Sequence, residues 1–421
     1  MRTGPLTYGQ TSVLRSLRVH GPEHQAVANL VSVWAVPIGA SMAQVLDAWF
    51  RLVEAHESLR TTFDDRVQTV HPLRISTIPV VELPDDSAVS AHQAAAEYAA
   101  TPLAVDRDLP WRAFVAAVDG EPVYLVTIVH HVAADNEALR LLEAQFDRLL
   151  AGESICATCQ PLDLAVAQQA DPPAHSVPHW TKVWATVARQ DRHPDDNTER
   201  RRASLYSVPG LAAARNLSER LRVSVQSVLF GISALAIARQ ENREQVTFAL
   251  MAANRLDDRW AGMISSLNQY APVVVTIDES TPVDEFLRGT YLRCMNAYLN
   301  ACYDIDLLEQ QLAELGTPES DPTAFAKHFN FLGAVETEPA PTSPLLSGIV
   351  WRSSTQRTGP NLHVAMAVGE GVLIGVGASR RYLEGELPAT VAAAIEGGLV
   401  EASDGVSESL GRLSLRPIRQ I

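Results

Sequence analysis

The stretch VHHVAADNE, residues 129–137, sets His130, His131, Asp135 and Asn136 side by side. An unperturbed imidazole titrates near pH 6.5, so these two histidines are well placed to take a proton at neutral pH. They follow an apolar run, Val123 to Val129, that reads as a strand buried on both faces. A helical pattern starts just after them, at Glu137, and reaches a glycine stop at Gly152. The start of a helix carries N–H groups with no partner inside the helix, and these can hold an oxyanion as a carbonyl turns tetrahedral. His131 as base, Asp135 as orienting carboxylate and the amides near Asn136 are the parts that acyl transfer needs. No G-x-S-x-G elbow occurs, so a serine acyl-enzyme has no support, whereas direct attack by an external nucleophile needs only the histidine. Adjacent histidines on a strand point to opposite faces, which argues against a shared metal ion and for one packed and one cleft-facing ring. On these residues alone a second reading stays open, in which both histidines are structural and Asp135 only caps the helix.

The elements that must hold this stretch are legible around it. Apolar positions Val45, Leu46, Trp49, Leu52 and Val53 mark one face of a helix over Met42–Ala55, with Ser41 as its N-cap. Val67–Val70 reads as a strand. Farther on, a helix is expected over Val223–Arg239, strands over Gln245–Met251 and Val273–Ile277, and a last helix near Thr390–Val400. The apolar run Ser227–Ala238 is too short to span a bilayer and suits a buried core helix. A Pro/Ser-rich loop is expected over 337–348. Helices and strands mix throughout, so the fold class is α/β (α+β).

At 421 residues the chain exceeds one ordinary core, which predicts two lobes. Three prolines in residues 170–179 mark the junction. The lobes are therefore drawn as 1–172, bearing the two histidines, and 180–421, with 173–179 as linker. A net charge of −15 argues against nucleic acid as partner. The basic run Arg200-Arg201-Arg202 reads as a solvated loop. No signal segment opens the chain and no apolar run reaches membrane length, which favours a cytoplasmic protein with no membrane partner. Cys156 and Cys159 form a lone C-x-x-C, read as reduced surface thiols rather than a metal or redox centre. The glycines of GEGVLIGVG, 369–377, have the wrong spacing for a dinucleotide fingerprint.

Residues 130–135 resemble the H-H-x-x-x-D-G motif of the condensation-domain superfamily, acyltransferases related to chloramphenicol acetyltransferase and common in nonribosomal peptide synthesis. Other stretches resemble family motifs in the family's order: LTYGQTSVL (6–14) around Gln10, HESLRTTF (56–63), MAANR (251–255) followed by GMISSLNQYAPVVV (262–275), and HFNFLGA (328–334). The resemblance implies two chloramphenicol-acetyltransferase-like lobes in a V-shaped pseudo-dimer, with the active site in a tunnel between them. It implies His131 as catalytic histidine and His130 as mainly structural. It also implies an ion pair between Asp135 and Arg255 of the second lobe that supports the loop. Asn268 is a possible cleft residue.

One departure stands out: Asn136 replaces the family's glycine. Asparagine keeps the backbone N–H that an oxyanion would use and tolerates positive φ. By this resemblance the chain is a free-standing condensation enzyme that joins an acyl or aminoacyl thioester to an amine or hydroxyl. It would bind no cofactor of its own; the thioester would arrive on the phosphopantetheine of an acyl or peptidyl carrier protein, and the acceptor would be a small molecule or carrier-bound. The alternatives are a catalytically silent module that recruits a partner enzyme to a carrier protein, and a coenzyme A-dependent acyltransferase.

Overall fold

The computed structural model describes all residues except 19–21, 75–76, 188–190, 192–198, 317–324, 335–348, 355–358, 383–385, 406–407 and 418–421. The chain forms two compact units. The first holds Met1–Ala174, Ala253–Gln269 and Cys302–Ile305; the second holds His175–Ala252, Tyr270–Ala301 and Asp306–Ile421.

The first unit contains, in order, β1 (Arg2–Pro5), α1 (Tyr8–Arg18), β2 (Asn29–Ala35), α2 (Met42–Ala55), β3 (Thr61–Phe63), β4 (Val67–Val70), β5 (Val80–Glu82), α3 (Ala88–Ala99), β6 (Trp111–Val118), β7 (Glu121–His130), α4 (Asn136–Leu150) and α5 (Pro161–Ala170). A four-stranded sheet runs β2-β7-β6-β5 and a three-stranded one β1-β4-β3. β7 is buried from Leu125 to His130, as its nearly unbroken apolar run requires. The α2 helix has the bounds its spacing predicts, and Ser41 closes it with a capping box to Gln44. Its buried Trp49 meets Trp34 of β2 and Trp111 of β6 at ring distances of 6.0 and 5.1 Å, and Trp34 also meets Phe146 of α4 at 5.5 Å. Aromatic pairs of this kind add to what burial contributes, so the helices on this sheet are held firmly where β7 ends.

The second unit continues with α6 (Ser176–Thr186), β8 (Arg200–Ser207), α7 (Val208–Leu221), α8 (Val225–Gln240), β9 (Gln245–Ala252), β10 (Gln269–Thr276), α9 (Val283–Leu299), α10 (Ile305–Glu314), β11 (Lys327–Ala334), β12 (Val350–Ser354), β13 (Leu362–Val368), β14 (Val372–Ser379) and α11 (Leu387–Asp404). Its seven strands run β10-β9-β11-β13-β14-β8-β12. α8 is buried from Ser227 through Ala238, as expected for a core helix. Among the described residues no single helix is long and apolar enough to cross a membrane.

Four expectations need correction. Residues 173–179 are not all linker, because α6 begins at Ser176. Pro178 sits in its first turn, where a missing N–H costs nothing. The triple arginine is not a loop but the start of β8; its charges hide an alternation in which Ala203, Leu205 and Ser207 turn inward. Cys159 is buried against Leu164, Met263 and Leu267, whereas Cys156 is exposed; both are free thiols. Arg255 is not a residue of the second unit, since 253–269 belongs to the first. The Pro/Ser-rich stretch 337–348 lies outside the described residues.

Candidate active site at the end of strand β7

The site is built where β7 stops. The His130 amide donates to the Pro110 carbonyl at 2.8 Å and the His131 amide to that of Ala28 at 2.7 Å, which pins both backbones to neighbouring segments. The chain then turns through Val132, Ala133 and Ala134, all buried, and enters α4 at Asn136.

The two rings are held with their protons on opposite nitrogens. The Val132 amide donates to Nδ1 of His130 at 3.1 Å, so in the neutral ring that nitrogen is bare and the proton is on Nε2. Burial, helped by the neighbouring His131, pushes the His130 pKa down to about 3, which keeps the ring neutral at physiological pH. Nδ1 of His131 lies 3.1 Å from the Ala134 carbonyl oxygen. A carbonyl only accepts, so Nδ1 carries the proton and Nε2 of His131 is left with a lone pair. His131 is half-buried, against 3% exposure for His130, so the ring with the bare Nε2 is also the more accessible one.

Asp135 is the N-cap of α4, its Oδ1 accepting the Ala138 amide at 2.8 Å. The same oxygen accepts from the Arg255 guanidinium at 2.7 Å, and Oδ2 accepts the Leu267 amide at 3.0 Å. Both partners of the pair are buried. Arg255 also donates to the carbonyls of Ala261, Met263 and Ser265 at 3.2, 2.8 and 3.2 Å, so one guanidinium folds the 261–265 segment and ties it to the histidine loop. Asn254 precedes it at φ +52° and donates from its side chain to the Leu267 carbonyl at 3.0 Å. Asparagine is among the few residues that adopt this backbone readily.

Asn136 is exposed and is the first helical residue, with none of the left-handed geometry that would call for glycine. As the first amide of α4 it has no acceptor within the helix. Asn268 is half-buried, and its Oδ1 accepts the Ser266 hydroxyl at 2.9 Å. Gln10 is buried and reaches Gln68 and Ser265 at 3.3 and 3.4 Å. His130, His131, Asp135, Asn136 and Arg255 are thus gathered at one turn, while Asn268 follows Leu267, whose amide Asp135 holds and whose carbonyl Asn254 holds.

Two supporting residues escaped sequence reasoning. Ser58 is fully buried and donates to the Ala133 carbonyl at 2.6 Å, bracing the histidine loop from the HESLRTTF stretch. Gly9, in the first turn of α1, lies against the 265–267 backbone: a Cβ there would come within 2.3 Å of the Ser266 carbonyl oxygen. Their presence inside motif-like strings was the available signal; only the folded chain supplies the reason. Among the described residues no group of three or more His, Cys, Asp or Glu is placed to hold a metal ion.

Comparison with known proteins identifies the family and the fold. The chain is 25% identical over 272 residues to cyclosporin synthetase of Tolypocladium inflatum, a match covering 57% of this chain and 2% of that protein. It spans only 1 to 5% of the length of the curated relatives it matches. In fold it is similar to the condensation domain of the monacolin K polyketide synthase, with a TM-score of 0.79, 14% identity and 97% and 99% of the two chains covered. It is also similar to the condensation domain that mediates chain release from the enacyloxin polyketide synthase, with a TM-score of 0.76, 19% identity and 97% and 84% coverage. The model of the condensation domain matches residues 27–338. With that match spanning the two histidines, the ion pair and the segment it folds, the chain belongs to the condensation-domain family.

Proposed function

We propose that this chain catalyses amide or ester formation between a carrier-bound acyl or aminoacyl thioester and an amine or hydroxyl acceptor in the making of a secondary metabolite. The observation that carries this reading is the state of His131: Nδ1 faces the Ala134 carbonyl, leaving the lone pair on Nε2 of a half-buried ring. In the reaction, Nε2 takes the proton of the acceptor amine or hydroxyl as that atom attacks the thioester carbonyl. The carbonyl oxygen gains the negative charge and is held by the backbone N–H of Asn136. The tetrahedral adduct then collapses, breaking the carbon–sulfur bond. The phosphopantetheine thiolate departs and takes the proton back from the imidazolium. Asp135 and Arg255 move no protons; they hold the turn. The chain itself needs no bound cofactor in this scheme, and the carrier protein acts in trans or from another part of a longer assembly.

The test supplies acyl thioesters on carrier protein and on short pantetheine mimics, with pooled amines and alcohols. Product masses are read for the wild type and His131→Ala. A new amide or ester that falls by about 10²–10⁴-fold in the variant is the expected result. Carrier binding without product from either protein would overturn it in favour of a recruitment module. Turnover with coenzyme A thioesters but never with carrier-bound ones would instead move the chain to small-molecule acyl transfer.

A further inference from the structure

The single 3₁₀ turn Glu57–Arg60, within HESLRTTF, is held by bonds to separate stretches of the chain. The Glu57 carbonyl accepts the Thr61 hydroxyl at 2.6 Å, and the Leu59 carbonyl accepts the Trp111 indole N–H at 2.7 Å. The Arg60 carbonyl accepts the His71 amide at 2.8 Å, and the Glu57 amide donates to the Gln160 side chain at 3.0 Å. A 3₁₀ turn is loosely bonded in itself, so these outside partners are what make it a firm platform. It also reaches the helix that follows the histidines, since the His56 ring donates to the Gln145 side chain of α4 at 2.6 Å.

From this platform the fully buried Ser58 hydroxyl donates to the Ala133 carbonyl at 2.6 Å. The Ala133 amide donates to the His130 carbonyl at 2.9 Å, so both backbone polar groups of Ala133 are engaged. Two residues on, the Asp135 carboxylate is held by Ala138, Leu267 and Arg255. Ala134 stands between these anchors. A planar peptide leaves two soft dihedrals per residue, so pinning the peptide before Ala134 and the residue after it leaves its carbonyl little freedom. That carbonyl is the one facing Nδ1 of His131.

We propose that Ser58 is a positioning residue for His131: its hydroxyl, acting through Ala133 and Ala134, keeps the imidazole proton on Nδ1 and the lone pair on Nε2. A neutral histidine can carry its proton on either nitrogen, and the hydrogen bonds of the ring decide which. Without the Ser58 bond the Ala134 carbonyl is free to swing away from Nδ1. The proton can then pass to Nε2, the nitrogen that a base needs bare. The effect on turnover rests on the function proposed above; the place of the proton does not.

The test reads two-bond ¹H–¹⁵N spectra of the whole chain, labelled with ¹⁵N-histidine, at about pH 8.5, where histidine is ordinarily neutral. His130→Gln and His131→Gln assign the signals. Wild type should show the proton of His131 on Nδ1 and that of His130 on Nε2. Ser58→Ala should turn His131 into a mixture of both forms. It should leave His130 unchanged, since that ring is fixed by the Val132 amide, which precedes the carbonyl that Ser58 holds. Ser58→Cys fills the same space with a weak donor, so it separates the bond from the packing and reports even where the hole left by alanine prevents folding. It should behave as Ser58→Ala does. With a turnover assay in hand, kcat should fall roughly tenfold in both variants at nearly constant KM, short of the 10²-fold or so that an ångström of misplacement can cost. A wild-type His131 with its proton on Nε2, an unchanged His131 in the folded variants, or equal disturbance of both rings would overturn the proposal. A wild type without turnover would count against the function proposed above, while the spectra still decide the role of Ser58.

Discussion

Asp135 and Arg255, 120 positions apart in the chain, form a 2.7 Å ion pair in which both side chains are almost wholly buried. Removing one partner from such a pair strands the other charge out of water, which typically costs about 3–5 kcal/mol. Arg255→Ala is therefore expected to lower unfolding free energy by that order in denaturant melts. Asp135→Asn should cost less, since asparagine still caps a helix. The double variant should be more stable than the sum of the two losses implies, because the stranded charge is gone. Strict additivity would show that the pair is not coupled.

Replacing a glycine in a helix by alanine ordinarily raises stability by about 0.5–1 kcal/mol. At Gly9 the sign should reverse. The new Cβ meets backbone, the Ser266 carbonyl at 2.3 Å and Leu267 Cα at 2.7 Å, and backbone cannot rotate away as a side chain does. Gly9→Ala should lower the melting temperature, and a rise in thermal scans would contradict the close approach.

His130 gives a pH dependence of known sign. Its folded pKa, about 3, lies below the ordinary histidine value, so between the two the unfolded chain binds more protons than the folded one. The stability it contributes is complete above about pH 6.5 and is lost as pH falls toward 3. His56, whose pKa burial also lowers against the hydrogen bond that its ring donates to Gln145, acts in the same sense. The slope of unfolding free energy between pH 6.5 and 4 should be shallower in His130→Leu than in wild type. Identical slopes would mean that the ring is protonated in the folded chain.

Asn136→Pro separates amide from side chain. Proline is favoured at the first helical position, and Asp135, with φ −100° and ψ 178°, already has the extended backbone that a following proline demands. The variant should fold with wild-type stability yet lose the one N–H assigned to the oxyanion. A fall of about 10²–10³-fold in turnover is expected, the usual cost of one such donor. Asn136→Gly, which keeps the amide, should change turnover only a few-fold.

Local features were legible in the sequence and distant ones were not. Met42–Ala55 shows its helix through spacing and its own cap, and VHHVAADNE shows a strand ending in a helix because all its determinants are neighbours. Arg255 came into view only through family resemblance, since no periodicity links it to Asp135 and the chain has left the first unit for residues 175–252 before it returns at Ala253. Gly9 answers to a backbone that lies far along the chain, and such an approach leaves no mark on its own helix. Arg200 to Arg202 were misread because three charges outweigh an alternation that begins only at Ala203. Arg200 is in fact buried, donating to the Gly359 and Pro360 carbonyls.

The return of residues 253–269 to the first unit also sets an order of events during synthesis. A ribosome adding about 5–20 residues per second makes Asp135 roughly 6–24 seconds before it makes Arg255. Through that interval the nascent N-terminal portion holds a carboxylate with no cation to meet it, and Gly9 with no backbone to receive. The histidine turn is thus completed late, by a passage of chain that arrives after most of its surroundings are already in place.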